Sequence, residues 1–232
     1  MQEESVGLEG YRFMSHNLIT RTLALLVMIP IVVAIIFLPI WVRSVVLALI
    51  SALSFYEFFQ MARYRVVYES AGGKRLVGFG SLYLLGSLSA LAYLVINSTA
   101  SQLLWFFSVV WATDIAAYIV GRSLGGVKLA PKISPNKTWS GFLGGILGGV
   151  LVSEIFQIAQ APETFHISLP LVLLICVSVH GGDLLESWAK RYCGVKDSGH
   201  IIPGHGGILD RMDGLLAAAL VYTTLLMLPD WF

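Results

Sequence analysis

Between Gly181 and Asp213 the chain reads GGDLLESWAKRYCGVKDSGHIIPGHGGILDRMD. The segment carries five acids (Asp183, Glu186, Asp197, Asp210 and Asp213) and four bases (Lys190, Arg191, Lys196 and Arg211). Acids in this number, set among bases and glycine-rich turns, suit a divalent cation and phosphate groups. Asp183, Glu186, Ser187 and Lys190 fall on one side of a helix at three- and four-residue steps. A plainer reading pairs Asp183 or Glu186 with Lys190 or Arg191 as interfacial ion pairs. Asp210 and Asp213 are three apart, so both can face one ion. Gly206 and Gly207 precede them, and glycines just before a helix start let backbone N–H groups approach an anion. A helix cap explains one Asp. It does not explain His205, two adjacent glycines and a second acid.

Two further groups could do chemistry. Ser134-Pro135-Asn136-Lys137-Thr138-Trp139 has the composition of a phosphate cradle without the Walker A pattern. The alternative there is an interfacial loop with Trp139 as anchor and a snorkelling Lys137. Asp114, Tyr118 and Arg122 are spaced by four along one helical stripe. An acid within an apolar span needs a partner, a water cavity or a metal. Glu57 and Glu154 stand alone in their spans, and Glu57→Gln is expected to be far milder than changes at the clustered acids. His180 and Cys176 read as packing, and two cysteines make no disulfide framework.

Long apolar runs must position these residues. Of 232 residues, 56% are hydrophobic and 12% charged, with mean hydropathy +0.78; soluble domains carry about 25% charged residues. The chain therefore reads as an all-α, polytopic integral membrane protein. Seven helical spans of roughly 20 residues are expected, at 18–40, 42–62, 76–97, 103–121, 140–160, 168–189 and 212–229. No cleavable signal peptide is expected. Of the 15 Lys and Arg residues, only Arg43 falls on one face of this arrangement. The positive-inside rule then puts the N-terminus, and the loops 121–139 and 190–211, in the cytoplasm. Residues 1–110 read as generic membrane helices, and 111–232 as a catalytic membrane region integrated with them. Gly141, Gly145 and Gly149, with Gly144 and Gly148, recur every four residues. Small residues at this period let helices pack closely, in the same chain or across a homodimer. Net charge is +1, and no nucleic-acid partner is expected.

Taken together, these residues resemble one family, the phosphatidate cytidylyltransferases or CDP-diacylglycerol synthases. That family's signature is a Ser, then Lys-Arg, Lys-Asp, His-Gly-Gly, Asp-Arg and a final Asp. Here Ser187, Lys190-Arg191, Lys196-Asp197, His205-Gly206-Gly207, Asp210-Arg211 and Asp213 stand at the matching spacings. DIAAYIVGRSLGG and KLAPKISPNKTWSG upstream are similar to its second conserved block, although Ser140 stands where the family often has Glu. The resemblance runs from about Ala112 to the C-terminus. It implies CTP + phosphatidic acid → CDP-diacylglycerol + pyrophosphate at a bacterial-type inner membrane, with CTP, phosphatidic acid and membrane lipids as partners. It implies Mg²⁺, with room for a second cation, on Asp183, Asp210 and Asp213, with Asp114 and Asp197 as weaker ligands. Ser134, Asn136, Lys137, Thr138, Ser187, Lys190, Arg191, Lys196, His205, Gly206, Gly207 and Arg211 would contact substrate, with Lys137 and Lys196 also catalytic. Two rivals remain on sequence alone: a CTP-dependent polyprenol kinase, which would release CDP, and a cation-coupled transporter using Asp114, Glu57 and Glu154.

Overall fold

The computed structural model describes residues 29–63, 70–160, 167–199, 201 and 206–228. Six helices carry the fold: α1 (Ile40–Arg63), α2 (Ala71–Asn97), α3 (Ala100–Leu124), α4 (Trp139–Ala159), α5 (Leu169–Cys193) and α6 (Leu209–Leu226). Residues 29–36 are also helical. Between α3 and α4 lies a short antiparallel hairpin of β1 (Lys128–Ala130) and β2 (Ser134–Thr138), with Lys128 opposite Thr138 and Ala130 opposite Ser134. The sequence reading had only a loop there. These strands are too short to show an alternating pattern, and Pro135 is tolerated because both strands are sheet edges.

Five helices, α1 to α5, are long and apolar enough to cross a membrane. The chain is thus a multi-pass helical membrane protein. This count of five among the described residues stands against the seven expected. The first expected span, 18–40, begins outside the described residues. The last, 212–229, is observed as α6, an 18-residue helix carrying Asp210, Arg211 and Asp213 in its first five positions. Three helix starts are set locally. Ser70 accepts from Gly73 N–H at 3.0 Å, Thr99 and Gln102 form a capping box, and Thr138 accepts from Gly141 N–H at 3.1 Å. Each satisfies a donor the helix itself leaves orphaned.

α4 shows how composition sets packing. Leu143, Leu147, Leu151 and Ile155 are all exposed along one stripe, the face a bilayer would cover. Its glycines lie on α3 and α5 of the same chain: a Cβ on Gly141 would come within 2.8 Å of the Ala117 carbonyl, and one on Gly145 within 2.6 Å of His180 Nε2. The glycine face of α4 is therefore filled by α3 and α5 of the same chain. α6 is the most enclosed element. Leu216, Ala218 and Ala219 are fully buried, and Tyr222 stacks on Phe106 at 5.5 Å. α2 and α5 both pack along α6. One end of the bundle gathers the hairpin, the end of α5, the start of α6 and the last turns of α1.

Candidate functional site

Two close helix approaches build the site. Gly182 on α5 lies so near the Asp213 carbonyl and Ala217 that no side chain fits there. A Cβ on Gly214 would meet Val179 at 2.9 Å. The two glycines let α5 and α6 cross in near-contact, which brings Asp183 and Glu186 of α5 against Asp213 of α6. Asp213 lies within hydrogen-bonding reach of both. The hairpin adds a cation: Lys137 on β2 forms an ion pair with Asp183. Asp114 on α3 is exposed and stands beside Asp183 and Lys137.

A second network lies alongside. Asp210 Oδ1 accepts from Lys190 Nζ at 2.5 Å. Its Oδ2 accepts from Gly207 N–H at 2.8 Å, Ser198 N–H at 2.9 Å and Ser198 Oγ at 3.0 Å. Burial alone would raise the Asp210 pKa. The Lys190 ammonium and the Gly207 and Ser198 N–H groups outweigh it and hold the carboxyl below its ordinary value. Gly206 takes φ +82°, a conformation glycine adopts without strain. Lys190 also faces Glu186 at 3.4 Å. Glu186 is 8% exposed, and among the described residues no hydrogen-bond donor other than this ion-pair partner approaches its oxygens.

Asp210 and Asp213 were expected to share one ion. Here Asp210 faces Lys190 and the loop amides, and Asp213 faces Asp183 and Glu186. Among the described residues no three His, Cys, Asp or Glu side chains form a ready metal-binding group. The donor set nonetheless fits Mg²⁺. It is all oxygen, and Mg²⁺ is commonly held by one or two carboxylates, with substrate phosphates and water completing its shell. Five carboxyl groups (Asp114, Asp183, Glu186, Asp210 and Asp213) meet two ammonium groups (Lys137 and Lys190) here. Carboxylates this close repel one another unless cations or shared protons come between them.

The remaining expected residues are spread around this centre. Ser134 is half-buried on β2, Asn136 is exposed, and Thr138 is buried with its hydroxyl on the α4 start and on Ser140. Ser187 is half-buried on α5. Arg191 reaches the Ile133 and Val195 carbonyls at 3.4 Å each, tying the hairpin turn to the end of α5. Lys196, Asp197 and Arg211 are exposed. His205 lies outside the described residues. Glu154 is exposed on α4. His180 is buried against Phe142, with ring centroids 4.9 Å apart, in line with packing.

One residue gains a role that the sequence did not disclose. Glu57, 1% exposed on α1, accepts from Ile208 N–H at 3.0 Å and Leu209 N–H at 2.8 Å. Ser198 Oγ, whose single proton is shared with Asp210, lies 3.3 Å from Glu57 Oε2. α6 has no side-chain cap of its own at Ile208, so a carboxylate from a distant helix supplies one. Local spacing carries no signal for such a partner.

A sequence profile described as the cytidylyltransferase family matches residues 76–228. A phosphatidate cytidylyltransferase of Rickettsia bellii is 37% identical over 213 residues, covering 88% of each chain. One from Brucella suis is 54% identical over 123 residues, 51% of this chain and 44% of that protein. One from Bacillus subtilis is 53% identical over 109 residues, 47% of this chain and 40% of that protein. The chain thus matches less than half the length of the Brucella and Bacillus relatives.

Proposed function

This chain belongs to the cytidylyltransferase family, and from that premise we propose that it transfers a cytidylyl group from CTP to phosphatidic acid, releasing pyrophosphate. The observation that carries the reading is the meeting of Asp183, Asp213 and Lys137, from three separate elements, at the polar end of apolar helices. A water-soluble triphosphate and a membrane lipid phosphate can both reach such a place.

The chemistry asks little of a base. The lipid phosphate is already anionic, so its oxygen attacks the α-phosphorus directly. The new P–O bond forms as the bond from the α-phosphorus to the bridging oxygen breaks, and that electron pair leaves with pyrophosphate. The barrier is mostly the approach of like charges, so positioning and neutralisation do the catalysis. Lys137 supplies positive charge over the triphosphate. Asp183, Asp210 and Asp213 would hold Mg²⁺, with Glu186 behind them and Asp114 and Asp197 as lesser candidates. When bound, the ion would offset phosphate charge and draw the substrate oxygens together. Through its bonds to Lys190 and the loop, Asp210 also sets the position of α6 and keeps Lys190 at hand. Arg191, Lys196, Arg211, His205 and the Gly206-Gly207 turn would bind phosphate groups at the mouth, beside Ser134, Asn136, Thr138 and Ser187.

The same reading gives seven spans with the N-terminus, the hairpin and the 190–211 loop in the cytoplasm, at a bacterial-type inner membrane. The bias of basic residues supports that orientation. A homodimer stays a proposal without support from the α4 glycines. The test is product analysis with purified protein. CTP, phosphatidic acid and Mg²⁺ should give CDP-diacylglycerol and pyrophosphate in equal amounts. Pyrophosphate released without phosphatidic acid would contradict the reading.

A further inference from the structure

A cavity of about 540 Å³ lies between the last turns of α1 and the loop that follows α5, within the roughly 300–1,000 Å³ of small-molecule sites. Tyr56, Gln60 and Met61 line it from α1, and Lys196 and Asp197 from the loop. The loop is fixed where it stands: Ser198 N–H bonds to Asp210 at 2.9 Å, and Glu57 of α1 holds the nearby Ile208 and Leu209 N–H groups. Met61 also lines the gap that contains Glu186 and Asp213, so the cavity adjoins the clustered acids. Tyr56 is 55% exposed. Gln60 Nε2 donates to its hydroxyl at 3.0 Å, which sets the ring and the amide side by side on one wall. An amide has two N–H groups and a carbonyl oxygen. The bond to Tyr56 therefore leaves Gln60 one N–H and its carbonyl oxygen to offer a ligand.

We propose that this cavity seats the cytosine ring of CTP, with Gln60 reading the edge of the base and the Tyr56 ring packed on its face. The inference rests on the reaction proposed above and assigns the residues that select the nucleotide. Cytosine presents an N4 amino donor beside the N3 acceptor, and a side-chain amide offers the matching acceptor and donor together. An ionised carboxylate only accepts. Asp197 therefore suits the second N4–H and repels the O4 that uracil carries in its place. Aromatic side chains commonly take an unpaired base on their face. Lys196 carries the one ammonium group among the described lining residues. That is too little charge for a triphosphate alone, but enough to meet its near end as it runs toward the acids. Hydrocarbon is a poor occupant, because it would strip water from the amide, the carboxylate and the ammonium without replacing their hydrogen bonds.

The test uses the full chain in phosphatidylcholine nanodiscs with Mg²⁺ and no phosphatidic acid, so that nucleotide binds without being consumed. 5-Iodo-CTP is photolysed on it, and the adducts are mapped by mass spectrometry. Adducts should fall on Tyr56 and on the 195–199 peptide, and CTP should compete them away at lower concentration than UTP. Competed adducts confined to the hairpin, α3 or α4, or equal competition by UTP, would overturn the assignment. In kinetics with phosphatidic acid, Tyr56→Ala should raise KM for CTP about tenfold or more, the scale of a base stacked on an aromatic ring. Tyr56→Phe keeps the ring and should stay within about threefold of the parent. Gln60→Ala should raise KM for CTP and cut the preference for CTP over UTP about tenfold, the scale of one bidentate base contact. KM for phosphatidic acid should stay within about twofold in all three, which a general loosening of the site would not allow. Alanine variants with unchanged KM for CTP and unchanged preference would contradict the proposal. If they do not insert, the crosslinking map of the unaltered chain decides alone. Crosslinking does not depend on turnover. Competed adducts on Tyr56 from a chain that makes no CDP-diacylglycerol would remove the proposed reaction and leave the nucleotide site standing.

Discussion

Replacing Glu57 with alanine should loosen the start of α6 and with it the site. The carboxylate accepts from two backbone N–H groups, at 3.0 and 2.8 Å, in a place where Glu57 is 1% exposed. Truncation leaves both donors without a partner, while Ser198 Oγ keeps its 3.0 Å bond to Asp210. An unsatisfied buried donor costs roughly 1–3 kcal/mol, and loss of a helix cap about 0.5–2 kcal/mol. Fraying of the first turn lets water repair part of this, so the expected loss is roughly 2–5 kcal/mol. For a chain of this size that lowers the melting temperature by roughly 5–15 °C. Glu57→Gln keeps one carbonyl oxygen but sets an amide NH₂ against the other donor, so it should lose about half as much. Ser198→Ala should cost no more than about 1 kcal/mol. The assay is thermal unfolding in detergent, followed by tryptophan fluorescence, beside steady-state kinetics. The turnover number of Glu57→Ala should fall even at temperatures where it stays folded, because α6 carries Asp213. An alanine variant that melts within about 2 °C of the parent, a shift of only about 0.5–1 kcal/mol, with unchanged kinetics would refute the capping argument.

Asp183→Asn and Asp213→Asn should each abolish turnover while the protein stays inserted and folded, as judged by size-exclusion profile and melting curve; substantial activity with unchanged Mg²⁺ dependence in both would remove them as ligands. Asp210 gives a pH signature. Its folded pKa lies below the ordinary value, so its contribution to stability is present above the unfolded pKa near 4 and is lost as pH falls through the folded one. The stability gap between the parent and Asp210→Asn should therefore narrow as acid is added below about pH 4; a gap that stays constant would show that its partners do not act through charge. For topology, single cysteines at Lys128 and Lys196 should be labelled by an impermeant reagent from the cytoplasmic side, and one at Met227 from the opposite side. Labelling of Lys128 and Met227 positions from one side would defeat the orientation.

The apolar runs disclosed α1 to α5 nearly to their ends, because a bilayer-length helix demands an unbroken stretch of hydrocarbon side chains. For α6 the same rule set the start three residues late, at 212 where the helix begins at Leu209, because charge fills the first turn. Signature acids were legible as a group, since charge beside long apolar runs needs a reason. Their pairing was not. Three-residue spacing placed Asp210 and Asp213 on one helical face, but Lys190, Gly207 and Ser198 turn Asp210 toward the loop. Gly182 was legible as a small residue, not as the point where α5 meets the Asp213 backbone. Glu57 was invisible for a plainer reason: its partners at Ile208 and Leu209 are far along the chain. The hairpin carried no periodic signal because its strands have three and five residues.

The central claim is which phosphorus of CTP becomes attached to the lipid, and isotope position answers it directly. Purified protein is given phosphatidic acid, Mg²⁺ and CTP labelled with ³²P at either the α or the γ position. α-label should appear in the lipid extract and γ-label in pyrophosphate, with both transfers lost in Asp213→Asn. γ-label in the lipid, with α-label left in free CDP, would mean a kinase and would contradict the account.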